Sequence, residues 1–175
     1  MKIISLVPVG RIDRGHLESL AEGLAPQLRA ACLIQPEWLN GDFAYHAGRG
    51  QYHSREILQR LLQDPHAESW RILGVAEVDL FIPILTFVFG EAQLGGPAAL
   101  VSTHRLRPEF YGLPKHPALL QERLKKEALH ELGHTFGLKH CSDYLCVMSA
   151  SHSVERIDLK QADFCEACTE AAGLK

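Results

Sequence analysis

The chain has 175 residues, of which 46% are hydrophobic and 22% charged, and its mean hydropathy is −0.05. This length fits one domain that can bury a core without disulfides, and the composition excludes long disordered stretches. Because the formal net charge is −3, we expect no extensive electrostatic binding to nucleic acid or to anionic membranes.

The first elements follow a β-α-β pattern. An apolar run predicts a strand over Ile3–Val9, and a second apolar run predicts another strand over residues 30–34. Between them, apolar residues recur at helical spacing and predict a helix. These helical positions are Leu17, Leu20, Ala21, Leu24 and Leu28.

The middle of the chain is predicted to hold one helix and several strands. Ser54 can cap a helix that ends at Asp64-Pro65. The Gly/Pro-rich residues 90–97 are predicted to form a loop between strands. The remaining apolar runs predict strands over residues 71–79, 81–89 and 98–104. We expect these strands to form a mixed sheet.

A long helix is predicted from Pro117 to Gly137. At about 100° per residue, His130 and His134 lie close together on one side of this helix. The opposite side is apolar and contains Leu124, Ala128, Leu132 and Phe136. Both sides are therefore expected to be covered by other parts of the fold.

The chain after the long helix is irregular and polar as far as Asp158, which is predicted to cap a last helix that extends through Ala172. This helix would carry Cys165 and Cys168 on one side. Because the segment has few apolar residues, core burial alone would hold it weakly. A bound metal ion would therefore stabilise it.

The N-terminus does not resemble an export signal. Residues 1–8 contain one basic residue, a very short apolar run and no small-residue cleavage pattern. The most apolar window, residues 80–89, has about half the length of a membrane-spanning helix. The five cysteines of a chain without an export signal indicate metal ligands or free thiols, because the cytosol keeps thiols reduced. We expect a cytoplasmic protein.

The most specific pattern is the run HELGHTFGLKH, which begins at His130. Histidines at i and i+4 of a helix, here His130 and His134, can present two imidazole nitrogens to one zinc ion. Gly137 can adopt a positive φ, which lets the chain leave the helix and return His140 as a third ligand. Glu131 can take a proton from a water molecule at the metal. Three protein ligands leave one position open, which is typical of catalytic zinc.

The short HExxH pattern alone has another interpretation. In a chain with ten histidines it can arise by chance, because helical histidines are often only hydrogen bonded at the surface or in the core. The glycine and the third histidine at the correct offsets make the longer pattern more specific. The remaining histidines, His46 and His53 among them, lack such spacing and are expected to be structural or surface residues.

Four cysteines form a second pattern. Cys141 and Cys146 make one pair, and Cys165 and Cys168 make another about eighteen residues later. Two such pairs match a structural zinc site with a closed shell of four thiolates. Disulfides and a redox Cys-x-x-Cys remain alternative interpretations. Cys32, within the apolar run AACLI, is expected to be a buried strand residue without a chemical role.

The two patterns together resemble a known family. Met148 follows His140 by eight residues, which resembles the methionine turn of the metzincin metallopeptidases. The adjacency of His140 and Cys141, with Met148 two residues after Cys146, is similar to the archaemetzincin family in particular. The upstream runs GVAEVDL and FVFGEAQLGG are similar as well. The resemblance covers nearly the whole chain.

The archaemetzincin resemblance implies a metzincin-like α/β (α+β) fold, in which a twisted mixed β-sheet and an active-site helix lie behind a cleft. It implies one metallopeptidase domain over residues 1–175, with an N-terminal lobe over residues 1–137 and a small zinc-stapled C-terminal lobe over residues 138–175. Met148 would form the floor beneath the metal. Residues 98–104 would form the edge strand above the cleft, able to pair with an extended peptide.

We therefore expect a zinc-dependent peptidase with two zinc ions, one catalytic and one structural. The expected ligands are three histidines for the first ion and four cysteines for the second: His130, His134 and His140, then Cys141, Cys146, Cys165 and Cys168. Glu131 would act as general base and later protonate the leaving amine. The alternative is a zinc-stapled protein-interaction module with weak or lost catalysis. The expected partners are peptides or proteins, with no nucleic acid and no membrane, and the chain is expected to be a monomer.

Overall fold

The computed structural model describes residues 1–63 and 68–175. The strands are β1 (Ile3–Val9), β2 (Ala31–Ile34), β3 (Tyr45–His46), β4 (Gln51–His53), β5 (Arg71–Ala76), β6 (Leu80–Phe81), β7 (Gly90–Ala92) and β8 (Ala98–Ser102). The α-helices are α1 (Arg14–Leu28), α2 (Ser54–Leu61), α3 (Pro117–Thr135), α4 (Val154–Leu159) and α5 (Glu166–Ala171).

The centre of the fold is a five-stranded sheet with the strand order β2-β1-β5-β8-β7. Four of its strands run parallel, and β7 runs antiparallel to β8 at one edge. A smaller three-stranded sheet has the order β3-β4-β6. The predicted mixed sheet and α/β fold class are confirmed.

The central sheet is buried on both faces, and alternate residues of its strands face different helices. In β8, Ala99 and Val101 contribute to the apolar cluster that contains the buried residues of α1 and α3. Their neighbours Ala98 and Leu100 belong to a second cluster, formed with α2. Because side chains alternate along a strand, one short run of apolar residues supplies both layers. The helix α3 lies against β8 and β7, at the antiparallel edge of the sheet.

Most of the early elements agree with the sequence pattern. The strand β1 covers the predicted residues, and α1 buries the leucines predicted to form its apolar side. The helix predicted after Ser54 is present, although His53 occupies its cap position. The predicted helix end at Asp64-Pro65 lies outside the described residues.

The prediction of a strand over residues 81–89 is wrong. The prediction that all of residues 90–97 form a loop is wrong as well. The structure has a strand only at β6, then turns, and then β7. The carbonyl groups of Leu85 and Thr86 accept hydrogen bonds from the Arg49 side chain, and Thr86 also accepts one from Gln51. These carbonyls bind side chains and not a neighbouring strand. The proline at position 83 also has no N–H to donate to a sheet, so this segment does not form the predicted strand.

The prediction that residues 98–104 form the edge strand is also wrong. The observed strand β8 pairs with β5 on one side and with β7 on the other, so it lies in the interior of the sheet. The strand at the cleft edge is β7. A peptide cannot pair with β8, because its backbone groups are already used by two neighbouring strands.

The prediction of a single last helix from Asp158 to Ala172 is wrong as well, because the structure has two short helices there. Ser153 caps α4 by accepting a hydrogen bond from the Arg156 N–H, and Asp158 lies within that helix. The chain then turns and begins α5 after Cys165. The segment also buries more apolar surface than expected. Its buried residues Val147, Met148, Val154, Ile157 and Leu174 join the cluster that contains α1 and α3.

Within the described ranges, no helix is both long enough and apolar enough to cross a bilayer.

Candidate metal centres and cleft

The end of α3 is held firmly and turns back sharply. The Arg71 side chain donates hydrogen bonds to the hydroxyl and the carbonyl of Thr135, at 2.9 and 3.2 Å. Gly137 has a φ of +88°, as its position in the motif predicts. The N–H of Leu138 then donates to the Gly133 carbonyl at 3.2 Å. This tight turn directs the following residues back toward the helix.

The turn brings the three motif histidines together. The ring centroids of His130 and His134 are 4.7 Å apart, and the His140 ring lies 5.3 and 5.1 Å from them. One ring nitrogen of each residue lies within 4.8 Å of the corresponding atom of the other two. The three residues form a candidate metal site.

Backbone carbonyls orient two of these rings. The Nδ1 of His130 lies 2.8 Å from the Val147 carbonyl, and the Nδ1 of His134 lies 2.7 Å from the Leu138 carbonyl. A ring that donates through Nδ1 leaves the Nε2 lone pair free for a metal. The two Nε2 atoms are 3.2 Å apart. Zinc–nitrogen bonds of about 2.0–2.1 Å in a tetrahedron place two ligand atoms roughly 3.3 Å apart. The observed Nε2–Nε2 distance therefore fits two ligands of one zinc ion.

The environment keeps the imidazoles in the form that binds metals. Burial lowers the pKa of His130 well below its ordinary value, and it also lowers the pKa values of His134 and His140. The Lys160 ammonium group lowers all three further. Only a neutral imidazole has a lone pair to give, so the site favours metal ligation over protonation at neutral pH.

Glu131 lies in the wall of a cleft of about 450 Å³ that the three histidines also line. Residues 85–92 form one wall of this cleft, and residues 150–152 approach it from another side. Burial raises the pKa of the Glu131 carboxyl well above its ordinary value, and the carboxylates of Glu127 and Glu91 raise it further. A cation beside Glu131 would lower this pKa and so favour the carboxylate.

Met148 lies beneath the histidine helix. Its side chain is fully buried, and its backbone carbonyl accepts a hydrogen bond from the Cys141 N–H at 3.0 Å. The preceding residue, Val147, provides the carbonyl that orients His130. The methionine turn therefore connects the histidine site to the cysteine segment.

The four cysteines of the second pattern also come together, with sulfur atoms within 4.8 Å of one another. The Sγ atoms of Cys141 and Cys165 are 3.9 Å apart. Zinc–sulfur bonds of about 2.3 Å in a tetrahedron place sulfurs roughly 3.8 Å apart, so the spacing fits one shared ion. The N–H groups of Cys165 and Met148 point at the Cys146 sulfur, at 3.3 and 3.4 Å. Such donors favour a thiolate.

Cys32 lies apart from both clusters. It belongs to β2, which is the edge strand of the central sheet farthest from β7. Burial raises the pKa of its thiol to about 11, and the side chain packs against the core. The side chain is half-buried rather than buried as expected, because β2 is an edge strand.

Comparison with known proteins identifies the family. A model of peptidase family M54 matches residues 28–173. The archaemetzincin of Methanocaldococcus jannaschii is 44% identical over 165 residues, which cover 94% of this chain and 89% of that protein. The archaemetzincin of Pyrococcus furiosus is 46% identical over 176 residues, which cover 95% of this chain and 90% of that protein. The chain belongs to peptidase family M54.

Solved structures agree with the M54 assignment. The crystal structure of archaemetzincin from Methanopyrus kandleri is similar with a TM-score of 0.86 and 38% identity, covering 99% of this chain and 94% of that one. The archaemetzincin of Archaeoglobus fulgidus, solved with malonate, gives a TM-score of 0.84 and 37% identity over 98% of this chain and 99% of that one. The M54 chain is a zinc metallopeptidase of the archaemetzincin type.

Several features of the M54 site were not predicted from sequence. Gly90 lies against Glu131, since a Cβ at position 90 would come within 2.8 Å of the Glu131 Cγ. Glu127 and Lys160 form an ion pair beside the histidines, with Nζ and Oε1 3.2 Å apart. Gly90 belongs to the run FVFGEAQLGG, whose similarity to the archaemetzincin family is the one sequence signal that pointed to this position. For Lys160 the sequence offers no signal, because the contact joins distant segments.

Proposed function

We propose that this M54 peptidase hydrolyses peptide bonds with a catalytic zinc ion held by His130, His134 and His140. The observation that carries the proposal is the pairing of the first two rings, whose Nε2 atoms are 3.2 Å apart while both Nδ1 atoms bind carbonyls. The ring of His140 supplies a third nitrogen, and three imidazoles suit zinc. The open side of this group faces the cleft.

A zinc ion bound there would polarise the scissile carbonyl and make an attacking water more acidic. In this proposal Glu131 accepts the proton of that water and then donates it to the leaving amine. Its place in the cleft wall beside two of the histidines supports this role. No serine or cysteine nucleophile is needed. Met148 closes the site from below and holds Val147 against His130.

We propose that the substrate is a peptide or protein that pairs with β7. In the antiparallel ladder, Glu91 lies opposite Leu100. Two residues to either side, the Gln93 N–H donates to the Ala98 carbonyl and the Ser102 N–H donates to the Phe89 carbonyl, so alternate residues of this strand bind β8. The backbone groups of Gly90 and Ala92 therefore point away from β8. They lie in the cleft wall, where an extended peptide could accept and donate backbone hydrogen bonds.

A second zinc ion is proposed for Cys141, Cys146, Cys165 and Cys168, where it would cross-link the two ends of the C-terminal segment, residues 138–175. The sulfur spacing and the two N–H donors at Cys146 support a closed thiolate site. A site that needs four reduced cysteines fits the cytoplasmic location that we propose. We further propose that the chain is a monomer.

The activity is tested by incubating the zinc-loaded protein with a peptide library and identifying the products by mass spectrometry. We expect cleavage by the wild type, and no cleavage by Glu131→Gln at unchanged zinc content. Ordinary turnover in Glu131→Gln would contradict the general-base role. No cleavage by wild-type protein with a full zinc complement would favour an interaction module instead.

A further inference from the structure

A third group of metal-binding side chains lies outside both centres described above. His46 is the last residue of β3, His53 is the last residue of β4, and Glu56 lies in the first turn of α2. One ligand atom from each lies within 4.8 Å of the others. The short β3–β4 hairpin and the helix that follows it are therefore joined at this group.

The distances within the group suit a single ion. One carboxylate oxygen of Glu56, Oε2, lies 3.1 Å from the Nε2 of His46 and 3.5 Å from the Nδ1 of His53. Two ligands of a tetrahedral zinc ion are expected roughly 3.3 Å apart, because each bond measures about 2.0–2.2 Å. The same spacing also allows hydrogen bonds. A hydrogen-bonded cluster without a metal is therefore the alternative that an experiment has to exclude.

The donor set favours a dication, and the surroundings leave the ligands accessible to solvent and limit their movement. Two imidazoles and one carboxylate are ligands typical of zinc and of related transition metals. The side chains of His46, His53 and Glu56 are 47%, 19% and 39% exposed, so an ion can enter from solvent. Both rings pack on Phe81, with centroids 5.2 and 5.1 Å from its ring, which limits their movement.

We propose that His46, His53 and Glu56 form a third metal site that binds Zn²⁺ or a dication of the same class. The site has three protein ligands and is open to solvent, so its ion exchanges readily, unlike an ion enclosed by four cysteines. It is distinct from the M54 motif, and none of its ligands belongs to the histidine or cysteine centres.

The hairpin that carries this site also supports the wall of the cleft. Arg49, in the turn between β3 and β4, donates a hydrogen bond to the Leu85 carbonyl at 2.7 Å, and Gln51 donates one to the Thr86 carbonyl at 2.9 Å. Leu85 and Thr86 line the cleft. An ion at His46 and His53 would link the two strands of the hairpin and so stabilise the segment that contacts the cleft wall.

The test compares zinc binding by the full chain and by single variants. Equilibrium dialysis against increasing free zinc, followed by elemental analysis, measures the ions bound per chain. We expect Glu56→Gln and His46→Gln to bind one ion fewer than the wild type, with melting temperatures that match the wild type in the presence of chelator. The matched control is His16→Gln, because His16 belongs to none of the candidate metal clusters among the described residues.

Hydrogen exchange locates the ion. Added zinc should slow amide exchange in residues 45–53 of the wild type and of His16→Gln, and should have no such effect in Glu56→Gln. Equal zinc binding by the wild type, Glu56→Gln and His46→Gln would overturn the proposal and leave a hydrogen-bonded cluster. Zinc-dependent protection of the hairpin that persists in both variants would overturn it as well.

Discussion

Gly133 and Met148 are in contact beneath the histidine helix, and the contact leaves no room for a side chain on the glycine. A Cβ at position 133 would overlap the Met148 Sδ and lie 3.0 Å from the ring of Phe164. The methionine is fully buried, so its thioether has little space to move. The glycine therefore lets the methionine turn approach α3 closely enough for the Val147 carbonyl to reach His130.

Gly133→Ala should lower stability and activity together. Alanine is favoured over glycine within a helix by about 1 kcal/mol, but overpacking of a filled core costs about 1–3 kcal/mol. We expect the steric cost to dominate and the His130 ring to shift. Denaturant unfolding and zinc content measure the two effects. The double variant Gly133→Ala/Met148→Ala should recover part of the loss, and full stability of Gly133→Ala alone would show that the contact is not tight.

The buried pair of Lys160 and Glu127 should be costly to break on one side only. Their side chains are 0% and 4% exposed, and the Lys160 ammonium also donates to the Ser149 carbonyl at 3.2 Å. Lys160→Met leaves the carboxylate buried without its cation, a change that typically costs about 3–5 kcal/mol. Thermal or denaturant unfolding measures the loss. The double variant Lys160→Met/Glu127→Gln should recover much of it, because neither charge remains.

The stability deficit of Lys160→Met should depend on pH. Burial already raises the pKa of Glu127, and Lys160 lowers it, so removal of the lysine raises this pKa further. A carboxyl whose folded-state pKa exceeds its unfolded-state pKa takes up a proton on folding, and stability then falls as the pH rises between the two values. We expect the deficit to be smallest under acidic conditions and larger at neutral pH. A deficit that grows on acidification would contradict this account of the buried pair.

Ala92→Pro should weaken substrate binding while the sheet remains intact. Proline removes the N–H that points away from β8, so an extended peptide would lose one backbone hydrogen bond. Since such a bond contributes about 1 kcal/mol, we expect KM to rise by about five- to tenfold. Steady-state kinetics with a peptide substrate measures the effect, and Ala92→Gly, which keeps the N–H, is the matched control. An unchanged KM in Ala92→Pro would rule out pairing at this residue.

The two proposed zinc ions should differ in accessibility and in their effect on the fold. The histidine group offers three ligands and leaves one position open, whereas four thiolates would close the shell of the other ion. A chelator should therefore remove the histidine-bound ion first and end activity with little change in circular dichroism. Later loss of the cysteine-bound ion should lower the melting temperature strongly, because zinc–cysteine sites can contribute roughly 10 kcal/mol. Cys146→Ser should therefore reduce thermal stability far more than His134→Ala. A single zinc ion per chain, or equal effects of the two variants, would contradict the two roles.

Local spacing was sufficient to predict the features that depend on one element. The four-residue interval between His130 and His134 places both rings on one side of any helix, and Gly137 predicts the turn that follows it. The apolar runs predicted β1 and α1 for the same reason, because periodicity is a property of neighbouring residues.

The family resemblance and the cysteine spacing indicated which residues could share a metal, but tertiary structure decided the rest of the cleft. The resemblance implied residues 98–104 as the edge strand, whereas the edge is β7, which has only three residues. Strand order depends on hydrogen bonds between distant segments, and so short a strand gives almost no periodic signal. The pairing of Lys160 with Glu127 and the approach of Gly133 to Met148 likewise join segments far apart in the chain. Such contacts are set by how helices and turns pack around one core, so they become visible only in the folded molecule.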